Sequence, residues 1–168
     1  MNKQNIILIG FMGSGKTSVG ERLAETLGYH FRDTDRMIEQ KAGDTINRIF
    51  ANYGEDYFRK LEMNLLMELI TSLKNTVLST GGGLPLREEN SKLLKEIGFV
   101  VYLKASKQTT LQRLANDTTR PLLQGEDREQ KVEKLLMERI PIYEKVAHKI
   151  IETDGRSVND IVNLIMEA

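Results

Sequence analysis

Asn5-Ile6-Ile7-Leu8-Ile9-Gly10-Phe11-Met12-Gly13-Ser14-Gly15-Lys16-Thr17 is the stretch that decides the fold. A short β-branched run leads into Gly10–Thr17, which satisfies the pattern GxxxxGK[ST], and residues 17–27 carry helical period. Glycines in such a loop let several backbone N–H groups converge on one anion, and the helix that follows adds the positive end of its dipole. Lys16 is placed to reach the β- and γ-phosphates of a nucleotide, and the Thr17 hydroxyl to ligate Mg²⁺. Strand, glycine loop and helix in register predict a nucleoside triphosphate site rather than a glycine-rich turn with a stray lysine.

Outward from that loop, apolar runs recur at residues 77–80, 99–103 and 149–151, with a weaker one at 30–33, and each precedes a segment of helical period. This alternation predicts an α/β fold, a central parallel sheet of about five strands flanked by helices. Phe58, Leu61, Leu65, Leu66 and Leu69 form one helical stripe; Val132, Leu135, Leu136, Tyr143 and Val146 form another. The stretch 116–128 is polar and aperiodic, and a lid loop is expected over about 116–126, carrying Arg120. With 168 residues, the chain is expected to form one domain, 1–168.

Composition narrows the function. Lys plus Arg total 24 and Asp plus Glu total 24, so no global field draws the protein to nucleic acid or an anionic membrane, and neither is expected as a partner. No cysteine is present, which excludes disulfides, thiolate nucleophiles and cysteine-based metal sites. Residues 1–9 are too briefly apolar for a signal segment, and a cytoplasmic, monomeric protein is expected. The chain lacks the Asn-Lys-x-Asp motif of guanine-specific GTPases and the length of mechanochemical ATPases. A small-molecule kinase using ATP remains.

Residues 33–35 read Asp-Thr-Asp at the end of the second expected strand. Two residues apart on a strand, Asp33 and Asp35 would point to one side at the carboxyl edge, where one could serve Mg²⁺ through water and the other orient an acceptor hydroxyl. The alternative is that Asp35 caps the helix from Arg36 while Asp33 makes a turn. Gly81-Gly82-Gly83 follows another strand end and implies either close backbone approach or a bare tight turn. Arg139 shares a helical face with Val132, Leu136 and Tyr143, and Pro141 is expected to disturb that helix locally and present Arg139 to a cleft. A snorkelling stem is the competing reading. Arg59 is open between an acceptor contact and a surface pair with Glu62 at i+3.

Taken in order, Gly10–Thr17 with Ser18-Val19-Gly20, Asp33-Thr34-Asp35, Phe58-Arg59-Lys60-Leu61-Glu62, Gly81-Gly82-Gly83, Arg120-Pro121-Leu122 and Arg139-Ile140-Pro141 with Tyr143 resemble the shikimate kinase family over essentially the whole chain. The resemblance implies a P-loop NTPase fold of the nucleoside-monophosphate-kinase type, with a lid and an acceptor-binding helical region at about 35–62. It implies ATP and shikimate as partners, Mg²⁺ as cofactor, and transfer to the 3-hydroxyl. It implies a carboxylate clamp of Arg59 and Arg139, Asp35 on the ring hydroxyls as catalytic residue beside Lys16 and Arg120, and acceptor contacts from Gly81, Gly82 and Gly83. Metal contacts fall to Thr17 and Asp33. Nucleotide contacts fall to Gly13, Ser14, Gly15, Lys16, Thr17, Ser18, Arg113, Arg120 and Arg156. The chain departs from the family at Val158, where proline is usual. A kinase of another hydroxy acid such as gluconate, and a nucleotide-dependent regulatory module without turnover, are the competing expectations.

Overall fold

Strand β1 (Ile6–Ile9) lies at the middle of a five-stranded sheet with β2 (His30–Asp33), β3 (Thr76–Ser79), β4 (Phe99–Lys104) and β5 (Lys149–Glu152), in the order β2-β3-β1-β4-β5. All neighbours are parallel: Ile6 sits opposite both Val77 and Phe99, Asp33 opposite Ser79, and Lys104 opposite Glu152. The computed structural model describes residues 4–115 and 127–167. The expected lid at 116–126, with Arg120, lies outside the described residues.

Parallel strands need crossovers, and here helices supply them on both faces. The period of two along β1 sends Ile7 and Ile9 to one face and Ile6 and Leu8 to the other, so a continuous apolar run serves two cores. On the second face α1 (Lys16–Leu27) and α8 (Val158–Met166) bury Val19, Leu23, Ile161 and Ile165. The first face receives α2 (Thr34–Ala42), α3 (Ile46–Tyr53), α4 (Glu55–Ser72), α5 (Glu88–Ile97), α6 (Lys107–Leu114) and α7 (Arg128–Val146). Ile38, Phe58, Leu66, Leu94, Leu136 and Tyr143 meet there. The edge strand β2 alternates exposed and half-buried residues, which explains its faint sequence signal.

Because the strands are parallel, their carboxyl ends share one edge. From β1 the chain moves first to β2 on one side and later to β4 on the other, so the edge beside β1 is a topological switch point, where open α/β sheets bind ligands. The expected loop Gly10–Gly15, Asp33 and the triple glycine all emerge at this edge. Among the described residues no helix is long and apolar enough to cross a membrane.

Candidate active site

At the end of β1 the loop turns into α1 through Gly15, whose φ of 92° lies in the left-handed region that a side chain disfavours. Neither a side-chain cap nor a first-turn acid competes for the start of α1, which leaves that end suited to an anion. Lys16 Nζ donates to the carbonyls of Gly10 (2.6 Å) and Phe11 (3.0 Å), so the lysine curls over the loop. Arg113, at the end of α6, donates from Nη1 to the Gly13 carbonyl at 3.0 Å and fastens the loop from outside. Residues 12–17, together with Asp33, Asp35 and residues 79–82, line a cavity of about 290 Å³.

The strand reading of Asp35 needs correction. β2 ends at Asp33, and the helix begins at Thr34, so Asp35 stands in the first turn of α2. Asp33, not Asp35, is the cap: its Oδ1 accepts from the N–H of Asp35 (2.9 Å) and of Arg36 (3.2 Å). Both carboxylates still line the same cavity, because the turn from strand to helix bends Asp35 back toward the sheet edge. Thr34, fully buried, accepts from the Gly81 N–H at 3.0 Å and ties α2 to the triple glycine.

A second cavity, about 580 Å³, adjoins the first through Met12, Asp33, Asp35, Gly81 and Gly82. Arg59, Glu62, Gly83, Arg139, Phe50 and Phe58 are among its other walls. The three glycines have no positive φ, so contact rather than conformation demands them. A Cβ on Gly81 would stand 2.8 Å from Asp35 Oδ1, and one on Gly82 3.3 Å from Arg139 Nη1. On Gly83 it would overlap the Arg59 guanidinium, with Cζ at 2.6 Å. The close approach expected of this run is present, and its three partners are the aspartate and the two arginines singled out in the sequence.

Those arginines are buried in quite different ways. Arg59, 7% exposed, pairs from Nη1 with Glu62 Oε1 at 2.7 Å and from Nη2 with Glu55 at 3.2 Å, while its Cζ lies 5.4 Å from the Phe58 ring centroid. Glu62 is wholly buried, so the surface-pair reading fails. Burial pushes the Glu62 carboxyl up to about 7 despite the neighbouring Arg59 charge. The Arg59 guanidinium is itself raised: burial lowers it, but the carboxylates of Glu62 and Glu55 outweigh that. Arg139, 3% exposed, lies over the Phe11 ring at 5.6 Å, one turn before the buried Tyr143 on the same helix. Its snorkelling alternative also fails, since the head group is buried. Helix α7 runs on through Pro141, a residue without an N–H, rather than breaking there.

Arg156 lies outside both cavities, exposed, with Nε donating to the Glu152 carbonyl at 2.9 Å. Val158 is the first residue of α8, behind a capping box of Ser157 and Asp160; this position needs no N–H partner and accepts valine or proline alike. Sequence reasoning missed Thr34, Glu62 and Tyr143 as parts of the site. For Glu62 a signal existed: residues 58, 62, 65 and 69 share one helical face, so a carboxylate stood in an apolar stripe just as Arg139 did. Among the described residues no cluster of three or more His, Cys, Asp or Glu is placed to hold a metal.

Residues 12–168 match the family model described as shikimate kinase. The shikimate kinase of Thermodesulfovibrio yellowstonii is 44% identical over 164 residues, covering 98% of this chain and 94% of that one. The shikimate kinase of Francisella tularensis subsp. novicida is 44% identical over 162 residues, covering 96% and 92%. Among solved structures, shikimate kinase from Acinetobacter baumannii in complex with shikimate superposes with a TM-score of 0.93 at 46% identity, covering 99% of this chain and 92% of its own. The enzyme from Aquifex aeolicus does so with a TM-score of 0.83 at 35% identity, covering 97% and 94%.

Proposed function

The chain belongs to the shikimate kinase family, and on that premise we propose that it transfers the γ-phosphoryl group of ATP to the 3-hydroxyl of shikimate, giving shikimate 3-phosphate and ADP. The observation that carries the reading is the Gly81–Gly83 ribbon, which borders both cavities and meets Asp35, Arg139 and Arg59 in turn.

Phosphoryl transfer passes through a loose transition state, so the protein must mainly align the reactants and balance charge. The loop from Gly13 to Ser18 cradles the phosphates, and Lys16 leaves its loop carbonyls for the β- and γ-phosphates. Arg113 and Arg156 flank the base side. Asp35 orients the acceptor hydroxyl and takes its proton late, which needs no strongly raised pKa. Arg59 and Arg139 meet the carboxylate of the acceptor with planar forks, setting its register against the phosphate. The Thr17 hydroxyl and the Asp33 carboxylate, oxygen donors on the wall of the smaller cavity, fit a hard cation, and Mg²⁺ held there would neutralise phosphate charge. The whole chain, 1–168, acts as one kinase domain in this reading, with residues 35–62 as its acceptor-binding region.

Coupled ADP release with Mg-ATP and a panel of shikimate, quinate and gluconate tests the proposal. Shikimate alone is expected to support turnover. Gluconate turnover would replace the acceptor assignment, and no turnover with any acceptor would replace the enzyme by a regulatory module.

A further inference from the structure

Tyr143 is fully buried on α7, and its ring lies 5.1 Å from that of Tyr102 on β4, so it reads at first as core. Its hydroxyl nevertheless donates to the Gly82 carbonyl at 2.5 Å. A phenol carries one proton, so this bond uses it, and the same glycine has the Arg139 fork beside it: a Cβ on Gly82 would stand 3.3 Å from Arg139 Nη1 and 3.7 Å from the Tyr143 hydroxyl. Burial pushes the Tyr143 phenol up to about 12, partly offset by Arg139, which keeps that proton in place at neutral pH.

The Gly82 carbonyl and the Gly83 N–H belong to one planar trans peptide, in which they point in opposite directions. Pinning the carbonyl toward the core therefore turns the Gly83 N–H away from Tyr143, and Gly83 lines the larger cavity. Among the described residues that N–H has no hydrogen-bond partner. We propose that Tyr143 is a positioning residue for the acceptor: its hydroxyl sets the Gly82–Gly83 peptide plane beside the Arg139 fork, so that the Gly83 N–H and Arg139 present matched donors to the acceptor's carboxylate. The hydrogen bond to its carbonyl also polarises the peptide and strengthens its N–H as a donor. This inference rests on the shikimate reading above.

The test compares wild type, Tyr143→Phe and Tyr102→Phe in steady-state kinetics with each substrate varied. Tyr143→Phe keeps the ring and its packing and loses only the hydroxyl. Its KM for shikimate is expected to rise about five- to tenfold, the loss of roughly one ordinary hydrogen bond's worth of positioning, with kcat and the KM for ATP within about twofold. Tyr102→Phe, which removes a neighbouring hydroxyl outside this contact, should match wild type. An unchanged KM for shikimate in Tyr143→Phe, or kcat and both KM values moving together, would overturn the inference while leaving the shikimate reading intact. Wild type without shikimate turnover would overturn both. Should Tyr143→Phe fail to fold, the wild-type Gly83 amide proton decides: a downfield shift on adding shikimate to the ADP complex supports the role, and an unmoved resonance overturns it.

Discussion

Arg59 and Glu62 lie one helical turn apart on α4 and form a pair at 2.7 Å that is buried on both sides, the arginine 7% exposed and the glutamate not at all. A buried pair adds little net stability, but removing one partner strands a desolvated charge. The arrangement holds the Arg59 fork against Gly83 at the wall of the larger cavity.

Titration of Glu62 gives this pair a pH signature. Its folded pKa, about 7, lies above the ordinary value of 4.5, so the folded protein holds the proton more tightly than the unfolded chain. The stability associated with that proton is fully present below pH 4.5 and is lost as pH rises through 7. Glu62→Gln removes the titration. Thermal unfolding of both proteins from pH 5 to 8 should therefore show the wild type's advantage shrinking with pH, by on the order of 2 to 3 kcal/mol across the window. A constant difference would mean that Glu62 stays ionised throughout.

Replacing Arg59 or Arg139 with lysine keeps the charge and loses the planar fork. The KM for shikimate should rise before that for ATP, with kcat/KM for shikimate falling roughly ten- to a hundredfold. An effect on ATP instead would place these arginines on the nucleotide side.

The glycine ribbon predicts a graded series. Gly82→Ala meets Arg139 Nη1 at 3.3 Å, a contact that a small shift relieves, whereas Gly83→Ala drives a methyl into a guanidinium held by Glu62 and Glu55. Neither has a positive φ, so both variants should fold. Shikimate kinetics should show Gly83→Ala impaired about tenfold or more beyond Gly82→Ala, the difference between a strained contact and an overlap. Equal effects would argue that the ribbon is only a turn.

Much of this was legible in the chain because local rules decided it. The apolar run at 5–9, the glycine loop and the helix after it are one contiguous signal, and strand β1 with its two buried faces is what that signal requires. The sheet followed from alternation, down to the faint edge strand at 30–33. What local pattern could not carry was contact between distant segments. The partners of Gly81, Gly82 and Gly83 come from residues 35, 139 and 59, and no spacing in the sequence brings these together. The sequence alone places Asp35 on a strand because the true cap, Asp33, stands two residues earlier and moves a helix boundary that sequence resolves poorly. Glu62 was hidden by its own partner, since a Glu three residues after an Arg reads as a surface pair unless the apolar face around it is weighed.

Thr34→Val tests the tie between α2 and the ribbon. The change conserves shape but removes the acceptor of the Gly81 N–H, which should lower stability by about 1 to 3 kcal/mol and reduce kcat/KM for shikimate several-fold. Denaturant unfolding and steady-state kinetics on the same sample check both. Unchanged stability would show that the hydroxyl is dispensable and that packing alone holds the ribbon.

The most direct measurement follows the phosphorus itself. ³¹P NMR of wild-type protein with Mg-ATP and shikimate should show the γ-phosphate signal replaced by one phosphate monoester coupled to the proton at carbon 3 of shikimate, while Lys16→Ala, which lacks the cation facing the phosphates, produces none over the same period. Inorganic phosphate without ester, an ester at another hydroxyl, or an undiminished ester signal from Lys16→Ala would contradict the account.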